Sequence, residues 1–400
     1  MKKLTTIARL YLFTQFFRSL YFSWPIWYGF ATKTLTPLQV GIFFGLLGFV
    51  QLLAEIPSGA FADRYGRKLC AIIGSVVVLV GPLCIYFGHN FTWYLLTALF
   101  YGAGRAFLNG TLDSLLYDHP TISKQEYRRV NKLNITIFQT GLIFSAAVGG
   151  FLYAVHPSFP FLAEVITGCI CLMLILFIDE GRNHTITNIQ EPYLSHFGNG
   201  LKHLVATKQM QLLVFMGVPY AVMLSICVDY LNEAAMIEHG FAPSTRGVLI
   251  AGMKIFTLII LNIFFFRWFE QDTKRIVFLA IGSVLTFTLL SLNFLSVFVI
   301  GYIVWNILVA TQTAFFNPIL HDNLPSSHRA TAIGSYNALI SLVEFGVSTG
   351  IGFLVQWFHT PRFAYGVFAV ISFFIILPCG IMIAKNLTKN QSRVQLISPN

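Results

Sequence analysis

Gly59-Ala60-Phe61-Ala62-Asp63-Arg64-Tyr65-Gly66-Arg67-Lys68 is the most polar ten-residue window in the first 110 residues of the chain. Two glycines, one acid and three bases stand there between long apolar segments. The surrounding chain of 400 residues is 56% hydrophobic and 10% charged, with a mean hydropathy of +0.70. A soluble globular protein carries roughly 25% charged residues. So much apolar surface cannot all be hidden in one soluble core, and lipid is the solvent to expect. The window then reads as a charged tight turn between two membrane spans. In lipid every backbone polar group must find its partner inside the chain, so apolar runs of about 20 residues read as helices. The alternating ten-residue pattern of a membrane barrel is not seen.

Outward from the window, twelve apolar segments suggest spans at 7–30, 38–58, 69–88, 92–113, 134–154, 161–178, 210–231, 246–266, 275–292, 296–316, 330–356 and 363–384. Lys2 and Lys3 lead into the first of them, which contains Arg18 and lacks a small-residue cleavage site, so it reads as a span and not as a signal peptide. With the amino terminus inside, twenty of the 26 Lys and Arg fall on inner segments and three, Lys33, Arg246 and Arg362, on outer ones. Arg18, Arg105 and Lys254 lie within spans. The positive-inside rule therefore puts both termini in the cytoplasm, and the net charge of +10 follows from topology, not from a nucleic-acid partner. The six cysteines all lie in apolar segments, with no disulfide or zinc spacing, and read as helix packing.

The longest polar stretch, 179–209, divides the chain into an amino-terminal six-helix bundle, 1–178, and a carboxy-terminal one, 210–400. At about 30 residues this linker is too short for a soluble core. Leu115-Leu116-Tyr117-Asp118 recurs as Ile319-Leu320-His321-Asp322, an offset of 204 residues. A similar offset, 207 residues, carries the opening window to Phe266–Arg275, which keeps charge and has lost the glycines. A duplicated six-span unit fits this pattern.

The spacing Gly59-x-x-x-Asp63-Arg64-x-Gly66-Arg67-Lys68 resembles the loop 2–3 signature of the major facilitator superfamily of secondary transporters. The preceding Glu55-Ile-Pro-Ser-Gly59 run resembles many bacterial members, a large share of them drug exporters. Span five carries Gly141-x-x-x-Ser145-Ala146-x-x-Gly149-Gly150, similar to the antiporter signature of that superfamily with its second glycine and its proline replaced. Arg105 resembles the arginine of the fourth-helix signature, with Asn109-Gly110 one residue late. The resemblance implies an all-α membrane protein with twelve transmembrane helices in two pseudo-symmetric bundles. It implies that Asp63 and Arg67 help latch the halves on the cytoplasmic side, and that spans one, four, seven and ten line a central cavity. By residue chemistry, Gly59 and Gly66 permit close approach and positive φ, while Arg64, Arg67 and Lys68 anchor to the inner leaflet.

Charges at mid-membrane depth cost several kcal/mol and must face the bundle interior. Arg18 and Arg105, with Tyr21 and Trp24 on the same side of span one as Arg18, are candidates for the substrate cavity. Trp27 and Tyr28 read as interface anchors. Glu344, with no base within two turns, is the first candidate for proton coupling, followed by Glu55 and Asp113; Glu164 reads as peripheral. No ATP-binding, zinc-protease or nucleophile-elbow motif occurs. The expectation is therefore a monomeric, multi-pass transporter of the bacterial cytoplasmic membrane. It would need no cofactor, metal, ATP or nucleic acid, and it would use a proton gradient to export an amphipathic small molecule. An uptake symporter or a lipid or anion transporter of the same fold is the alternative, and a polytopic membrane enzyme a remote one.

Overall fold

The structure is a computed structural model and describes residues 4–181, 193–261, 269–324 and 329–397. Among them every regular element is helical. Among the described residues ten helices are long and apolar enough to cross a membrane. Large apolar side chains on their outer surfaces, Phe177 (75% exposed) and Phe374 (69%) among them, need hydrocarbon as their solvent. The chain resolves into two compact units, 1–190 with 240–252, and 191–239 with 253–400.

In unit one, α1 (Thr6–Arg18) ends at a break over residues 19–23, followed by a 3-10 turn (Trp24–Ile26) and the short α2 (Trp27–Ala31). Then come α3 (Pro37–Tyr65), α4 (Arg67–Phe87), α5 (Phe91–Leu108), α6 (Thr111–Asp118), α7 (Lys124–Val155) and α8 (Phe159–Phe177). The core gathers Tyr11, Leu12, Ala71, Leu108, Leu112, Val130 and Ile175 from α1, α4, α5, α6, α7 and α8. A second cluster stacks Trp27 on Phe43 (ring centroids 5.1 Å apart), with Tyr94 and Phe161 edge-on. Trp27 is thus a packing residue within the bundle, and Tyr28 is buried, so neither acts as the interface anchor expected of it.

Three boundaries differ from expectation, each for a local reason. The opening window is not a ten-residue turn. Helix α3 runs through Pro57 to Tyr65, and Gly66 alone, at φ 102°, turns the chain into α4. Asp63 therefore sits in the last turn of α3 and caps no helix start, and Gly59 is helical with open space where a Cβ would point. Span four stops early: Gly110 takes the left-handed conformation at φ 69° and separates α5 from α6. Span one is not continuous. Pro25 lacks the N–H that would bond the Tyr21 carbonyl, and its ring crowds that carbonyl. Proline by itself does not decide the matter, because α3 runs on through Pro57 and α4 through Pro82.

Unit two contains α9 (Tyr193–Val205), α10 (Lys208–Ile226), a π-helical segment (Cys227–Leu231), α11 (Asn232–Glu238) and the second part of α12 (Pro243–Ile260). It continues with α13 (Asp272–Ser291), α14 (Leu295–Asp322), α15 (Arg329–Phe358), α16 (Arg362–Ile371), a second π segment (Ser372–Ile376) and α17 (Leu377–Ile397). Helix α9 lies within the stretch expected to be a linker and packs on α15, with Gly200 against the Ser335 hydroxyl. Residues 182–192 of that stretch, and Phe266, Arg267 and Trp268 of the second copy of the window, lie outside the described residues.

Candidate functional site

The break in span one is built by its neighbours. Two glycines of α7 let its backbone approach. A Cβ on Gly149 would lie 1.9 Å from the Phe22 carbonyl oxygen, and one on Gly141 1.8 Å from the Ser19 hydroxyl. Gly150 similarly faces the Pro243 carbonyl at the start of α12. The glycine pattern read as antiporter-like is therefore the seat of the broken helix. The break also frees backbone donors, and Glu164 of α8 takes one: its Oε1 accepts the Ser23 N–H at 2.8 Å and the Ser23 hydroxyl at 2.6 Å. Irregular backbone at membrane depth is tolerated only where such partners exist.

Beside this joint a cavity of about 70 Å³, room for a few waters, opens between α1, α4, α5 and α8. Arg18, Tyr21, Tyr101, Arg105 and Glu164 line it. Arg18 is the last residue of α1, where the helix dipole favours a cation. Arg105 lies over the Tyr101 ring at 5.9 Å. The sequence candidates Arg18, Arg105 and Tyr21 are thus brought together, whereas Trp24 begins the 3-10 turn and is not part of the lining. Glu164, expected at the periphery, is in the cavity wall. The available signal was its position as an ionisable residue inside a span.

Two hydrogen-bonded chains hold the polar side chains of α1, one of them starting at Arg18 in the cavity wall. Arg18 donates to Asn109 Oδ1 (3.3 Å), and the Asn109 amide donates to Glu55 (3.3 Å), which also accepts from Gln51 (3.2 Å). Asn109, the residue that stood one place late in the fourth-helix signature, is therefore the link between Arg18 and Glu55. Asp113 belongs to the other chain. The Tyr11 hydroxyl donates to it, and Gln15 and Asn134 donate to the Tyr11 oxygen at 2.9 and 3.1 Å. The αL turn at Gly110 separates Asn109, which caps the end of α5, from α6, which carries Asp113.

At the Gly66 turn, Arg67 pairs with Asp118 and donates to the Ser114 carbonyl (2.7 Å), tying α4 to α6 within unit one. Lys68 donates to the Leu176 carbonyl (2.9 Å), and Arg64 is exposed beside Tyr65. Glu344 of α15, in unit two, is not the unpartnered carboxylate the sequence suggested, because Ser225 of α10 donates to it. Among the described residues no group of His, Cys, Asp and Glu is arranged to hold a metal.

Comparison with known proteins agrees with this architecture. Over 96% of the chain the backbone matches a crystal structure of the nucleoside transporter NupG, with a TM-score of 0.75, 12% identity and 99% of that chain covered. It also matches the POT family transporter PepTSo, at a TM-score of 0.71 and 10% identity over 98% of this chain and 99% of that one. In sequence it is 23% identical over 399 residues to the uncharacterized MFS-type transporter YxaM of Bacillus subtilis (strain 168), covering 93% of this chain and 94% of that protein. It is 24% identical over 287 residues to the quinolone resistance protein NorA of Staphylococcus aureus (strain MRSA252), covering 70% and 69%. The profile of the Major Facilitator Superfamily matches residues 9–346, and the chain belongs to that family of multi-pass membrane transporters.

Proposed function

We propose that this transporter exports an amphipathic small molecule in exchange for protons. In this reading it works as a monomer in the bacterial cell membrane, with both termini in the cytoplasm and bundles 1–178 and 210–400 as the moving halves. The observation that carries the reading is Glu344. It is a carboxylate within an apolar helix that has no Lys or Arg from 330 to 358, and it accepts the Ser225 hydroxyl of α10. A group so placed exchanges a proton when water reaches it, and its two charge states prefer different surroundings, which is what biases an alternating-access equilibrium. The similarity to a quinolone resistance protein supports drug-like cargo and the outward direction. The twenty-to-three distribution of bases supports the orientation.

The test is uptake of ethidium into inside-out vesicles under an imposed pH gradient. Wild type accumulates the dye, and Glu344→Gln at equal expression does not; equal uptake by the two removes Glu344 from the mechanism. A second reading has its own observation. Arg18 and Arg105 share one cavity, which suits an anionic substrate or an uptake symporter better than a cationic drug. A deletion strain sensitised to anionic compounds and not to cationic dyes would favour it.

A further inference from the structure

The Glu164 carboxylate sits where the backbone of a membrane span has come apart. Ser19 N–H still reaches the Gln15 carbonyl (3.1 Å), but from Leu20 to Ser23 the helical hydrogen bonds are gone, and only local turns such as Leu20 N–H to the Phe17 carbonyl (3.3 Å) remain. Ser23 offers two donors, its N–H and its hydroxyl, and both converge on one oxygen of Glu164. On the far side, Gly141 and Gly149 hold the break against α7 with no side chain between. The carboxylate meanwhile lines a cavity large enough for water. An unwound joint, a carboxylate as its clasp and a cavity with room for water beside that carboxylate therefore meet at one point of unit one.

We infer that Glu164 is a second proton-binding site of this transporter, and that its charge state opens and closes the joint in span one. Ionised, it accepts two charge-assisted hydrogen bonds from Ser23, which are shorter and about twice as strong as neutral ones. When a proton from cavity water binds the carboxylate, the neutral acid holds Ser23 more weakly and residues 19–23 are released. No other bond is made or broken. The groups facing Glu164 fit this use. Span one brings Arg18 and Tyr21, α5 brings Tyr101 and Arg105, and α8 itself brings Cys171, while α4 contributes Ser75 and apolar residues. From α7, Tyr153 lies against Phe30, which packs on Phe161 one turn before Glu164, with Lys33 over the Tyr153 ring. Two arginines in the same lining offset the carboxylate when it is charged, and no second acid shares the lining.

The role of this joint in coupling rests on the proton-driven reading above; the clasp itself does not. The experiment is hydrogen exchange of the full-length protein in lipid nanodiscs at acid and alkaline pH, corrected for intrinsic exchange. In wild type, peptides covering 19–23 should open about tenfold more at acid pH, the scale of one hydrogen bond to a charged group. In Glu164→Gln they should be open at both, and in Ser23→Ala the pH response should shrink. Exchange over 19–23 that ignores pH in wild type overturns the inference, and so does a Glu164→Gln protein that keeps the wild-type response. If wild type shows the pH-gated opening but no gradient-driven ethidium uptake, the export reading fails and the clasp stands. If uptake is seen without pH-gated opening, the reverse holds.

Discussion

The first span of unit one and the seventh of unit two solve one problem in opposite ways. At the repeat offset of 204 residues, Ser23 corresponds to Cys227, where the π-helical segment of unit two begins. Unit one breaks its span there, while unit two only widens it, since the Asn232 N–H reaches back to the Cys227 carbonyl and the backbone stays hydrogen-bonded. Pro25 faces Asp229 at that offset, so unit two lacks the proline that removes a donor. In each unit the sixth helix of the repeat reaches over to steady the joint. In unit one Glu164 accepts from Ser23; in unit two the Tyr365 hydroxyl donates to Asn232 Oδ1 at 2.7 Å. The same device is titratable in one unit and neutral in the other, so the proton-sensitive version is on one side only. Single-turn π segments are frequent at functional sites, and here one marks the joint that stayed closed.

The sharpest way to break this comparison is to add one methyl group to each unit. At Gly149 the added carbon meets a main-chain carbonyl at 1.9 Å, which only movement of the broken span relieves. At Gly217 on α10 it meets the Tyr336 hydroxyl at 2.3 Å and the Phe316 ring edge at 2.4 Å, both ends of side chains. We expect Gly149→Ala to abolish transport and the recovery of monodisperse protein. Gly217→Ala should fold with a loss of about 1–3 kcal/mol, the usual cost of overpacking. Size-exclusion profiles and thermal unfolding in detergent read both outcomes. Equal tolerance would mean that the break is not seated on α7 as described.

A smaller effect separates the two clasps. Tyr365→Phe leaves Asn232 Oδ1 without its donor in a buried site where the amide nitrogen already lacks an acceptor. The loss should be about 1 kcal/mol, and the same at acid and neutral pH, because neither partner titrates there. A pH-dependent loss would erase the contrast with Glu164.

Smaller again is the contrast between the two copies of the opening window. Arg67 ties α4 to α6 through Asp118 and the Ser114 carbonyl, whereas Arg275 bonds Asp272 three residues earlier (2.7 Å) and the Phe269 carbonyl (2.8 Å). Both ion pairs are partly exposed and worth at most about 1 kcal/mol. The long-range tie should nevertheless matter more. Arg67→Ala should lower the unfolding temperature measurably in low salt, and Arg275→Ala should leave it within error.

These pairs also show what the sequence could reveal. Hydropathy and charge placed nearly every helix, because lipid leaves the backbone few choices. The glycines of α7 were visible as a pattern, but their partner was not, since a run of small residues says that something comes close and not what. Glu55 and Arg18 were visible as costly charges. Their link through Asn109, the residue that caps the end of α5, is one that no periodicity reveals. Glu164 reads as peripheral because it lies near the end of an apolar run. Depth along the sequence is a poor guide once span one is broken, because the break brings Ser23 to the carboxylate.

The smallest effect concerns a residue that only unit two carries at its joint. His239 follows α11, its ring 4.8 Å from that of Phe298. Burial pushes its imidazole below the ordinary 6.5, with Glu238 opposing and Arg362 reinforcing the shift. A base whose folded value is depressed favours the folded state when neutral. Its contribution is therefore fully present above about 6.5 and is lost as pH falls through that value toward the folded one. His239→Asn removes the titration and should flatten the acid-side fall in unfolding temperature slightly, leaving the neutral value within a few tenths of a kcal/mol of wild type. Arg362 also binds Glu238, which accepts from Thr360 (3.0 Å), so the same fall should steepen in Glu238→Gln, where the carboxylate that holds the imidazole value up is gone. Opposite slopes in these two variants would locate the acid sensitivity of unit two at its surface turn, in contrast to the interior carboxylate of unit one.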